Sequence, residues 1–452
     1  MPEALSLAHL LQSGRGSGRV VATRDYVLPL DELERRSSLG PFLESLRGRS
    51  VVLFVRDMAK VAAALMDLDG SASRIVLCPP GWESTALESA ARDAEADALV
   101  HDDEDGVACI PVEVAAPCRL PLEALATPRF ADRETEWILP TSGTSGPPKL
   151  VAHTLRTLTR AIAEAPLQQW ATFYDIRRYG GLQIFLRALS GRGSLSLSGQ
   201  AESVGSQLAR FAGAGVTHIS GTPSHWRKVL MSGEGRRIAP EYVRLSGEIA
   251  DDAILTALRA FYPAARIEHA YASTEAGVVF AVDDGKAGFP AAWLDRDGAV
   301  QVKVADGTLR VRSDGCALRF LGRNAAPLVD EAGFVDTGDL VERRGERVYF
   351  LGRRGGVINV GGAKVHPEEV EAALNAHAAV RASRAFARNS PITGAIVFAD
   401  VVLHEGRGAC GGLELDILAA CRAQLAPHMV PAGLRFVSDL PMTDGGKLRR
   451  NG

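Results

Sequence analysis

The chain has 452 residues, of which 46% are hydrophobic and 23% charged, and its net charge is -3. This size and composition predict at least two globular domains, and the charge gives no basis for binding nucleic acid or an anionic membrane. No apolar run approaches the roughly 20 residues of a membrane span, and we expect no signal peptide. The six cysteines are scattered, which favours free thiols in a cytoplasmic protein over a disulfide framework or a zinc site.

The first 285 residues alternate predicted strands with predicted helices. Residues 49–55 (RSVVLFV) have the composition of a buried strand, and 58–68 (MAKVAAALMDL) have helical spacing. The same alternation is predicted over 74–80, 85–100, 215–223, 253–263 and 267–274. Strands and helices in alternation are typical of an α/β sheet.

After about residue 285 the pattern changes. Residues 299–313 alternate apolar and polar side chains around Asp306-Gly307, which predicts a β-hairpin. A strand at 347–353 and a helix at 367–377 follow, and the last part contains a further strand and helix. Two arginines and two glycines interrupt the pattern at Arg353 to Gly356. We therefore predict two domains, 1–352 and 353–452.

The loop TSGTSGPPK (141–149) contains four hydroxyl side chains, two glycines and a lysine. We predict that strand 136–140 enters it and that a helix over 150–165 leaves it. Glycine lets backbone amides approach an anion, hydroxyls donate hydrogen bonds to phosphate oxygens, and a helix amino terminus favours negative charge. The loop is not a Walker P-loop, because Pro147 and Pro148 precede the lysine and Leu150 replaces the metal-binding hydroxyl. A phosphate site and a plain surface turn are both consistent with this loop alone.

Four further motifs follow in order: YASTEAG (271–277), FVDTGDL (334–340), GRRGGVINVGGAKVHPEEVE (352–371) and PMTDGGKLRR (441–450). Together with the loop, this series resembles the adenylate-forming superfamily of acyl-CoA synthetases, standalone adenylation domains and luciferases. The resemblance covers residues from about 136 onward. It implies an α/β fold with a large N-terminal domain of mixed α/β layers and a β-barrel-like portion, followed by a small mobile α+β C-terminal domain.

The family activates a carboxylate by attack on the α-phosphate of ATP, and the acyl group then passes to a thiol. The resemblance implies that the loop holds the outer phosphates through Thr141, Ser142, Gly143, Thr144, Ser145, Gly146 and Lys149. It implies that the rest of the nucleotide meets Glu248, Ile249, Tyr271, Ala272, Asp339 and Arg353, with Tyr271 on one adenine face and Asp339 on the ribose hydroxyls. A carboxylate is a good bidentate acceptor for a diol.

Three residues are implied in the chemistry itself. Thr274 would touch the α-phosphate, and Glu275 would bind Mg²⁺, for which a carboxylate is a suitable hard ligand. Lys447 would reach the α-phosphate and the attacking carboxylate, where an ammonium group neutralises developing charge. Without the resemblance, each has an ordinary alternative as a solvated or ion-paired surface group.

The acid-binding pocket is the least defined part of the pattern. Residues 170–191 and 218–230 lie where the family builds its acyl pocket, and the candidate lining residues are Tyr174, Tyr179, Gly221, Thr222 and Ala272. An aryl acid and a medium-chain fatty acid both remain open, because the aromatic side chains are equally consistent with core packing. We interpret His153 and His225 as surface and helix-start residues rather than catalytic bases.

Three departures from the family pattern bear on function. Gly355 stands where many members have a hinge aspartate, Asn359 where many coenzyme A ligases have lysine, and Ala272 where glycine is usual. Our leading prediction is a ligase that joins the acid to coenzyme A, whose 3′-phosphate would need basic residues such as Arg353, Arg354, Arg381 or Lys364. The alternatives are an enzyme that loads a carrier protein or another nucleophile, and a nucleotide-binding regulator with weakened catalysis. The retained Glu275, Asp339, Arg353 and Lys447 argue against the regulator.

Overall fold

The computed structural model describes residues 6–8, 17–79, 81–102, 110–125, 129, 132–141, 149–163, 168–199, 202–390, 394–404, 412–443 and 447–449. Among these residues, no helix has the length and apolar character needed to cross a bilayer.

The elements of the first half, in chain order, are β1 (Val20–Ala22), β2 (Val27–Pro29), β3 (Arg36–Ser37), β4 (Ser50–Phe54), α1 (Met58–Leu68), β5 (Arg74–Leu77), α2 (Ser84–Asp93), β6 (Ala98–His101), β7 (Val114–Pro117), β8 (Glu123–Ala124), β9 (Glu136–Pro140), β10 (Leu150–His153), α3 (Leu155–Thr159), β11 (Trp170–Thr172), α4 (Tyr179–Ser190), β12 (Leu195–Leu197), α5 (Val204–Gly213), β13 (His218–Gly221) and α6 (Pro223–Met231).

The remaining elements are β14 (Tyr242–Ser246), α7 (Asp252–Phe261), β15 (Arg266–Ser273), β16 (Gly277–Val282), β17 (Phe289–Pro290), β18 (Val300–Ala305), β19 (Thr308–Ser313), β20 (Arg319–Phe320), β21 (Val335–Arg344), β22 (Arg347–Arg353), β23 (Ile358–Val360), β24 (Ala363–Val365), α8 (Pro367–Asn375), β25 (Val380–Ser390), β26 (Gly394–Leu403), α9 (Leu413–Arg422) and β27 (Leu434–Phe436).

Two large sheets form the main body. The eight-stranded sheet has the order β16-β15-β14-β13-β11-β12-β1-β2, and the seven-stranded sheet has the order β20-β10-β9-β5-β4-β6-β7. Both are parallel in the middle and antiparallel at one or both ends. Helix α1 contacts β1 and β2 and belongs to the same apolar cluster as β4 and β5. Its small alanine side chains are buried along nearly the whole helix, so the two sheets pack closely around it.

A third sheet and a smaller part complete the fold. The third sheet is antiparallel, with the order β17-β22-β21-β19-β18, and its β18–β19 turn has Asp306 at φ 52° and Gly307 at φ 73°. The predicted hairpin is therefore confirmed. Beyond Arg353, α8 packs on β25, and a three-stranded sheet β25-β26-β27 encloses a separate apolar cluster. The predicted class, an α/β body with a smaller α+β C-terminal part, is confirmed; the boundary at 352/353 stays a prediction.

The C-terminal part contacts the main body through polar side chains. Glu369 on α8 pairs with Arg344 at 3.0 Å, and Asp439 lies 3.6 Å from Lys228 on α6. Both pairs include well-exposed side chains, and exposed pairs of this kind contribute little to stability. These two ion pairs therefore contribute little to holding the two parts together.

One predicted element is wrong. A helix is predicted over 150–165, but within the described residues 150–163 the first four form β10, and the short α3 is the helix that follows. The four side chains of β10 are all buried, and β10 pairs antiparallel with β9 and β20. The two sheet partners and the buried environment outweigh the helical spacing of the later residues.

Gly277 begins β16 directly after the turn that follows β15. Its φ is +74°, and a Cβ there would lie 2.3 Å from the backbone oxygen of Gly315. An alanine would therefore meet both backbone strain and a clash. Gly307, at φ +73°, has its nearest neighbour 3.9 Å from such a Cβ, so an alanine there meets only the strain.

We expect Gly277→Ala to lower the free energy of unfolding by about 2–5 kcal/mol, the sum of left-handed strain and overpacking. The matched variant Gly307→Ala should lose only the strain, about 1–2 kcal/mol. Urea unfolding followed by tryptophan fluorescence measures both changes. Equal losses in the two variants would show that the close approach to Gly315 is not important.

Candidate active site

The carboxyl ends of four parallel strands meet at one edge of the eight-stranded sheet. Thr172 of β11 is level with Ser220 of β13, Gly221 with Leu245 of β14, and Ser246 with Ala270 of β15. The segments that follow these strands therefore emerge side by side. Ligands of open α/β sheets bind outside such carboxyl ends, so this edge is the candidate site.

The turn after β15 carries Thr274 and Glu275, and its backbone is fixed on both sides. The Glu275 carbonyl accepts a hydrogen bond from the Ala317 amide at 2.9 Å. The Thr274 carbonyl lies 2.7 Å from Nε2 of His153. A carbonyl oxygen only accepts, so Nε2 carries the proton and Nδ1 accepts from the Thr157 hydroxyl at 2.8 Å. Both side chains that were predicted to act on phosphate and metal thus lie on a rigid turn.

His153 is not a surface residue, which corrects the sequence-based interpretation. It ends β10 and is fully buried. Burial lowers the pKa of His153 to about 4, so the ring is neutral and suited to a fixed hydrogen bond. His225 does begin a helix: it is the third residue of α6 and forms a capping box with Thr222. Burial also lowers the pKa of His225 to about 4.

Asp339, Tyr271 and Arg353 form one hydrogen-bonded group. The Tyr271 hydroxyl donates to one oxygen of Asp339 at 2.5 Å, and Nε of Arg353 donates to the other at 3.1 Å. Asp339 is opposite Arg353 in the β21–β22 pairing. The Tyr271 ring stacks on Phe350 at 4.6 Å and on Phe280 at 5.4 Å between centroids. The residues predicted to meet adenine and ribose are therefore adjacent.

The charges in this group reinforce one another. Burial disfavours the charged form of Arg353, but Asp339, Glu275 and Tyr271 outweigh it, so the pKa of Arg353 is raised. Burial, followed by the Asp339 charge, raises the pKa of Tyr271 well above its usual value. Arg353 is thus a permanent cation and Tyr271 a neutral donor near a carboxylate, an arrangement suited to a sugar hydroxyl and a phosphate.

Lys447 reaches this site from the C-terminal part. A Cβ on Gly247, which has φ +84° and directly follows β14, would lie 3.3 Å from Cε and 3.8 Å from Nζ of Lys447. Burial and then the Arg353 charge lower the pKa of Lys447. Glycine at 247 therefore provides the conformation and the space that bring the ammonium group to the strand edge.

Glu248 makes contacts that its sequence position does not predict. One carboxylate oxygen accepts from the Ser224 amide at 2.9 Å, and the other accepts from the Leu448 amide at 2.9 Å. Both oxygens thus bind backbone amides rather than facing an open adenine pocket. Its neighbour Ile249 is partly buried in the same segment. The adenine contact of this pair stays a prediction.

Aromatic rings line the side of the edge where the acid was predicted. Phe173 stacks on His225 at 5.5 Å with an interplanar angle of 19°, and Tyr174 meets His225 edge-on at 5.9 Å. The Tyr174 hydroxyl donates to the Ser246 carbonyl at 2.7 Å. Tyr179 is buried with its ring 5.7 Å from that of His153.

Two of the small predicted lining residues, Gly221 and Thr222, contact these rings. A Cβ on Gly221 would lie 2.8 Å from the Phe173 ring, so glycine is needed for this packing. Thr222 is fully buried and caps α6 by accepting from the His225 amide at 3.1 Å. Ala272 lies at a register shift between β15 and β16. Tyr174, Gly221 and Thr222 therefore surround His225, which the sequence interpretation treated as a helix-start residue and not as part of the acid site.

The glycine-rich loop joins two antiparallel strands rather than a strand and a helix. At its base the Thr141 amide donates to the Lys149 carbonyl at 2.8 Å, and Pro140 pairs with Leu150. The predicted phosphate ligands Ser142, Gly143, Thr144, Ser145 and Gly146 lie outside the described residues. Because β10 and not a helix follows the loop, no helix amino terminus is there to bind an anion. Among the described residues of this segment, Lys149 is the positively charged one.

Comparisons with known proteins identify the family of this chain. A model of the AMP-binding enzyme family matches residues 34–317, and a model of the AMP-binding enzyme C-terminal domain matches 369–447. Benzoate–CoA ligase of Thauera aromatica is 33% identical over 190 residues, which cover 40% of this chain and 36% of that enzyme. The match thus spans little more than a third of that relative.

Solved structures share the fold over nearly the whole chain. The anthranilate CoA ligase AuaEII in complex with anthranoyl-AMP has a TM-score of 0.81 and 16% identity, covering 99% of this chain and 96% of that one. The amide bond synthetase McbA from Marinactinospora thermotolerans has a TM-score of 0.78 and 20% identity, covering 99% and 98%. At these identities the likeness establishes the fold alone.

The Asp339 group generates a test of the nucleotide pocket. We expect Asp339→Ala to weaken ATP binding by about 1.5–3 kcal/mol, the loss typical for hydrogen bonds to a charged group. Tyr271→Phe keeps the ring and the carboxylate but removes one donor, so its loss should be about 0.5–1.5 kcal/mol. Isothermal titration with ATP and with 2′-deoxy-ATP measures both. Wild-type protein that binds the two nucleotides equally would contradict the ribose contact.

Proposed function

Because the chain belongs to the AMP-binding enzyme family of the adenylate-forming superfamily, we propose that it activates a carboxylic acid with ATP and transfers the acyl group to coenzyme A. The observation that carries this proposal is the position of Lys447. Its ammonium group comes from the C-terminal part to the strand edge where Asp339, Arg353 and the turn of Glu275 meet. A nucleotide-binding protein without chemistry would not require a cation from a second structural unit at this point.

In the first step, the acid's carboxylate attacks the α-phosphate, a bond forms between carboxylate oxygen and phosphorus, and pyrophosphate leaves. The two reactants are anions, so the residues around them must supply positive charge. Lys447 and Arg353 provide it, while Asp339 holds the ribose and fixes the α-phosphate relative to them. On this proposal the Thr274 side chain contacts the α-phosphate from the turn whose backbone His153 holds.

Mg²⁺ fits the donors of this site. Magnesium is commonly held by one or two carboxylates together with substrate phosphates, and Glu275 supplies one carboxylate on a turn fixed by the Ala317 amide and His153. The ion would neutralise phosphate charge. The contribution of this chain is to carry Glu275 on a fixed backbone near Arg353, whose pKa the carboxylate helps to raise.

The aromatic lining favours an aryl acid over a medium-chain fatty acid. The parallel stack of Phe173 on His225 and the edge-on contact with Tyr174 form a rigid aromatic wall at the predicted acid site. Flat surfaces of this kind contact a planar ring more efficiently than a flexible chain. The relatives with benzoate and anthranilate in their names support the same preference.

The acceptor is coenzyme A in our leading proposal. Asn359, where many coenzyme A ligases have lysine, is exposed on β23 and pairs in register with exposed Lys364 on β24. Lys364 thus provides a cation beside Asn359, and Arg354 is a second exposed cation of the C-terminal part. The second candidate is transfer to a carrier protein or an amine, which the similarity to an amide bond synthetase favours.

The test is a panel of aryl and medium-chain acids assayed for ATP-dependent pyrophosphate release, with and without coenzyme A, using Lys447→Ala as the matched variant. We expect an aryl acid to give acid-dependent release in wild type. Lys447→Ala should reduce adenylate formation by about 100-fold or more, the effect of removing one preorganised charge, and keep ATP binding. Given a presynthesised acyl-adenylate, the variant should still form thioester. If no tested acid gives pyrophosphate release, the result would support a nucleotide-binding regulator. If Lys447→Ala forms adenylate at a rate near that of the wild type, Lys447 has no catalytic role.

A swivel near Gly355 is the further expectation. Gly355 and Gly356 are exposed, and a Cβ at either position would meet nothing within 4 Å, so there is open space for a side chain at 355. Proline fixes its own φ and restricts the residue before it. We expect Gly355→Pro to change the rates of adenylation and acyl transfer by factors that differ about ten-fold, equivalent to ~1.4 kcal/mol.

The matched variant Gly355→Ala should leave the ratio of the two rates unchanged. Pyrophosphate exchange reports the first step, and transfer from supplied acyl-adenylate reports the second. Equal changes of both rates in Gly355→Pro would place the swivel elsewhere.

A further inference from the structure

Glu248 joins the two parts of the molecule through backbone amides. Its carboxylate accepts from the Ser224 amide in the first turn of α6 and, with its other oxygen, from the Leu448 amide of the C-terminal part. The Ser224 amide is among those left without a helical partner at a helix start. One side chain thus satisfies a helix terminus of the main body and holds a peptide group of the C-terminal part.

The held peptide group determines where Lys447 points. The Leu448 amide belongs to the peptide bond that follows Lys447, so fixing it fixes the backbone of Lys447. The same backbone is held on the other side by Thr443, whose amide donates to the Lys447 carbonyl at 2.7 Å and whose hydroxyl accepts from the Lys447 amide at 3.2 Å. Of these contacts, the one to Glu248 is the one that crosses between the two parts.

The Lys447 ammonium group is not held at the edge by its charge environment alone. Arg353 and Arg178 repel it, whereas Glu248 and Asp339 attract it, and burial disfavours its charged form. Before ATP adds its own negative charge, the electrostatic balance therefore opposes docking. A contact to the neutral backbone beside Lys447 stabilises the docked position without depending on the ammonium charge.

We propose that Glu248 is a positioning residue for Lys447: its double hydrogen bond docks the C-terminal part in the arrangement that serves adenylate formation and is released for acyl transfer. This inference rests on the proposed two-step function. It assigns to Glu248 a role different from the adenine contact that its sequence position suggests.

The first experiment needs no substrate. Hydrogen–deuterium exchange of the full chain is followed at the Leu448 amide in wild type, Glu248→Gln and Asp439→Asn. Glutamine keeps the size of the side chain but presents an N–H toward one of the two amides. We expect exchange at Leu448 to be about ten-fold faster in Glu248→Gln, as for loss of a hydrogen bond to a charged acceptor. Asp439→Asn removes the charge that pairs with Lys228 at the same interface, keeps a side-chain oxygen to accept from the Leu440 amide, and should leave the exchange at Leu448 unchanged.

The second experiment separates the half-reactions. Glu248→Gln and Glu248→Ala should reduce acid-dependent pyrophosphate exchange by about ten-fold or more through the maximal rate, with the KM for ATP nearly unchanged. Transfer from a supplied acyl-adenylate should be as fast as in wild type or faster. Removal of the Glu248 charge also lowers the pKa of Lys447 further, so the alkaline fall in the exchange rate should begin at lower pH.

The outcomes are distinct. Unchanged Leu448 exchange, an increased KM for ATP at constant maximal rate, or equal losses in both half-reactions would overturn the positioning role, and the increased KM would instead support the adenine contact. If none of the tested acids makes the wild type release pyrophosphate, the proposed function fails. The exchange at Leu448 then still decides whether Glu248 docks the C-terminal part. Thermal unfolding of each variant controls for loss of the fold.

Discussion

The side-by-side ends of β11, β13, β14 and β15 are the constraint on which the rest of the site depends. The carboxyl ends of parallel strands in register lie at one edge of the sheet, so the segments that follow these strands lie next to one another. Each segment then adds one feature: the aromatic wall after β11, the cap of α6 after β13, Gly247 and Glu248 after β14, and the Thr274 turn after β15. The third sheet adds Asp339 and Arg353, whose pairing across β21 and β22 brings them to the same edge.

The sequence predicted the strongly periodic elements well because local spacing is what determines them. Helix α1 and the hairpin around Asp306-Gly307 are confirmed, since apolar periodicity and turn chemistry need no distant partner. The helix predicted over 150–165 is wrong because β10 is held by partners on both sides, including β20, which lies far along the chain. Pairing between distant segments outweighs local preference and cannot be read from spacing.

The same distinction applies to the candidate site. The motifs identified which residues would meet near a nucleotide, and Asp339, Arg353 and Tyr271 are indeed in contact. The supporting residues were missed. His153 was interpreted as a surface residue because its partner, the Thr274 carbonyl, is 121 residues away, and the partners of Glu248 are 24 and 200 residues away. The signal available in the sequence was glycine at positions 247 and 277, since glycine at a strand end often marks a close approach; both glycines have positive φ in the structure.

Charge connects docking with nucleotide binding. Without a ligand, Lys447 shares the edge with Arg353 and Arg178, and their repulsion adds to the desolvation of its ammonium group. On the proposed chemistry, ATP brings negative charge to that point and converts an unfavourable environment into a favourable one. When pyrophosphate leaves, much of that negative charge leaves with it, and the attraction that held Lys447 weakens. The strength of the hydrogen bonds from neutral amides to Glu248 does not depend on the ligand's charge. The change in electrostatic attraction on Lys447 therefore shifts the C-terminal part from the arrangement for adenylate formation toward the one for acyl transfer.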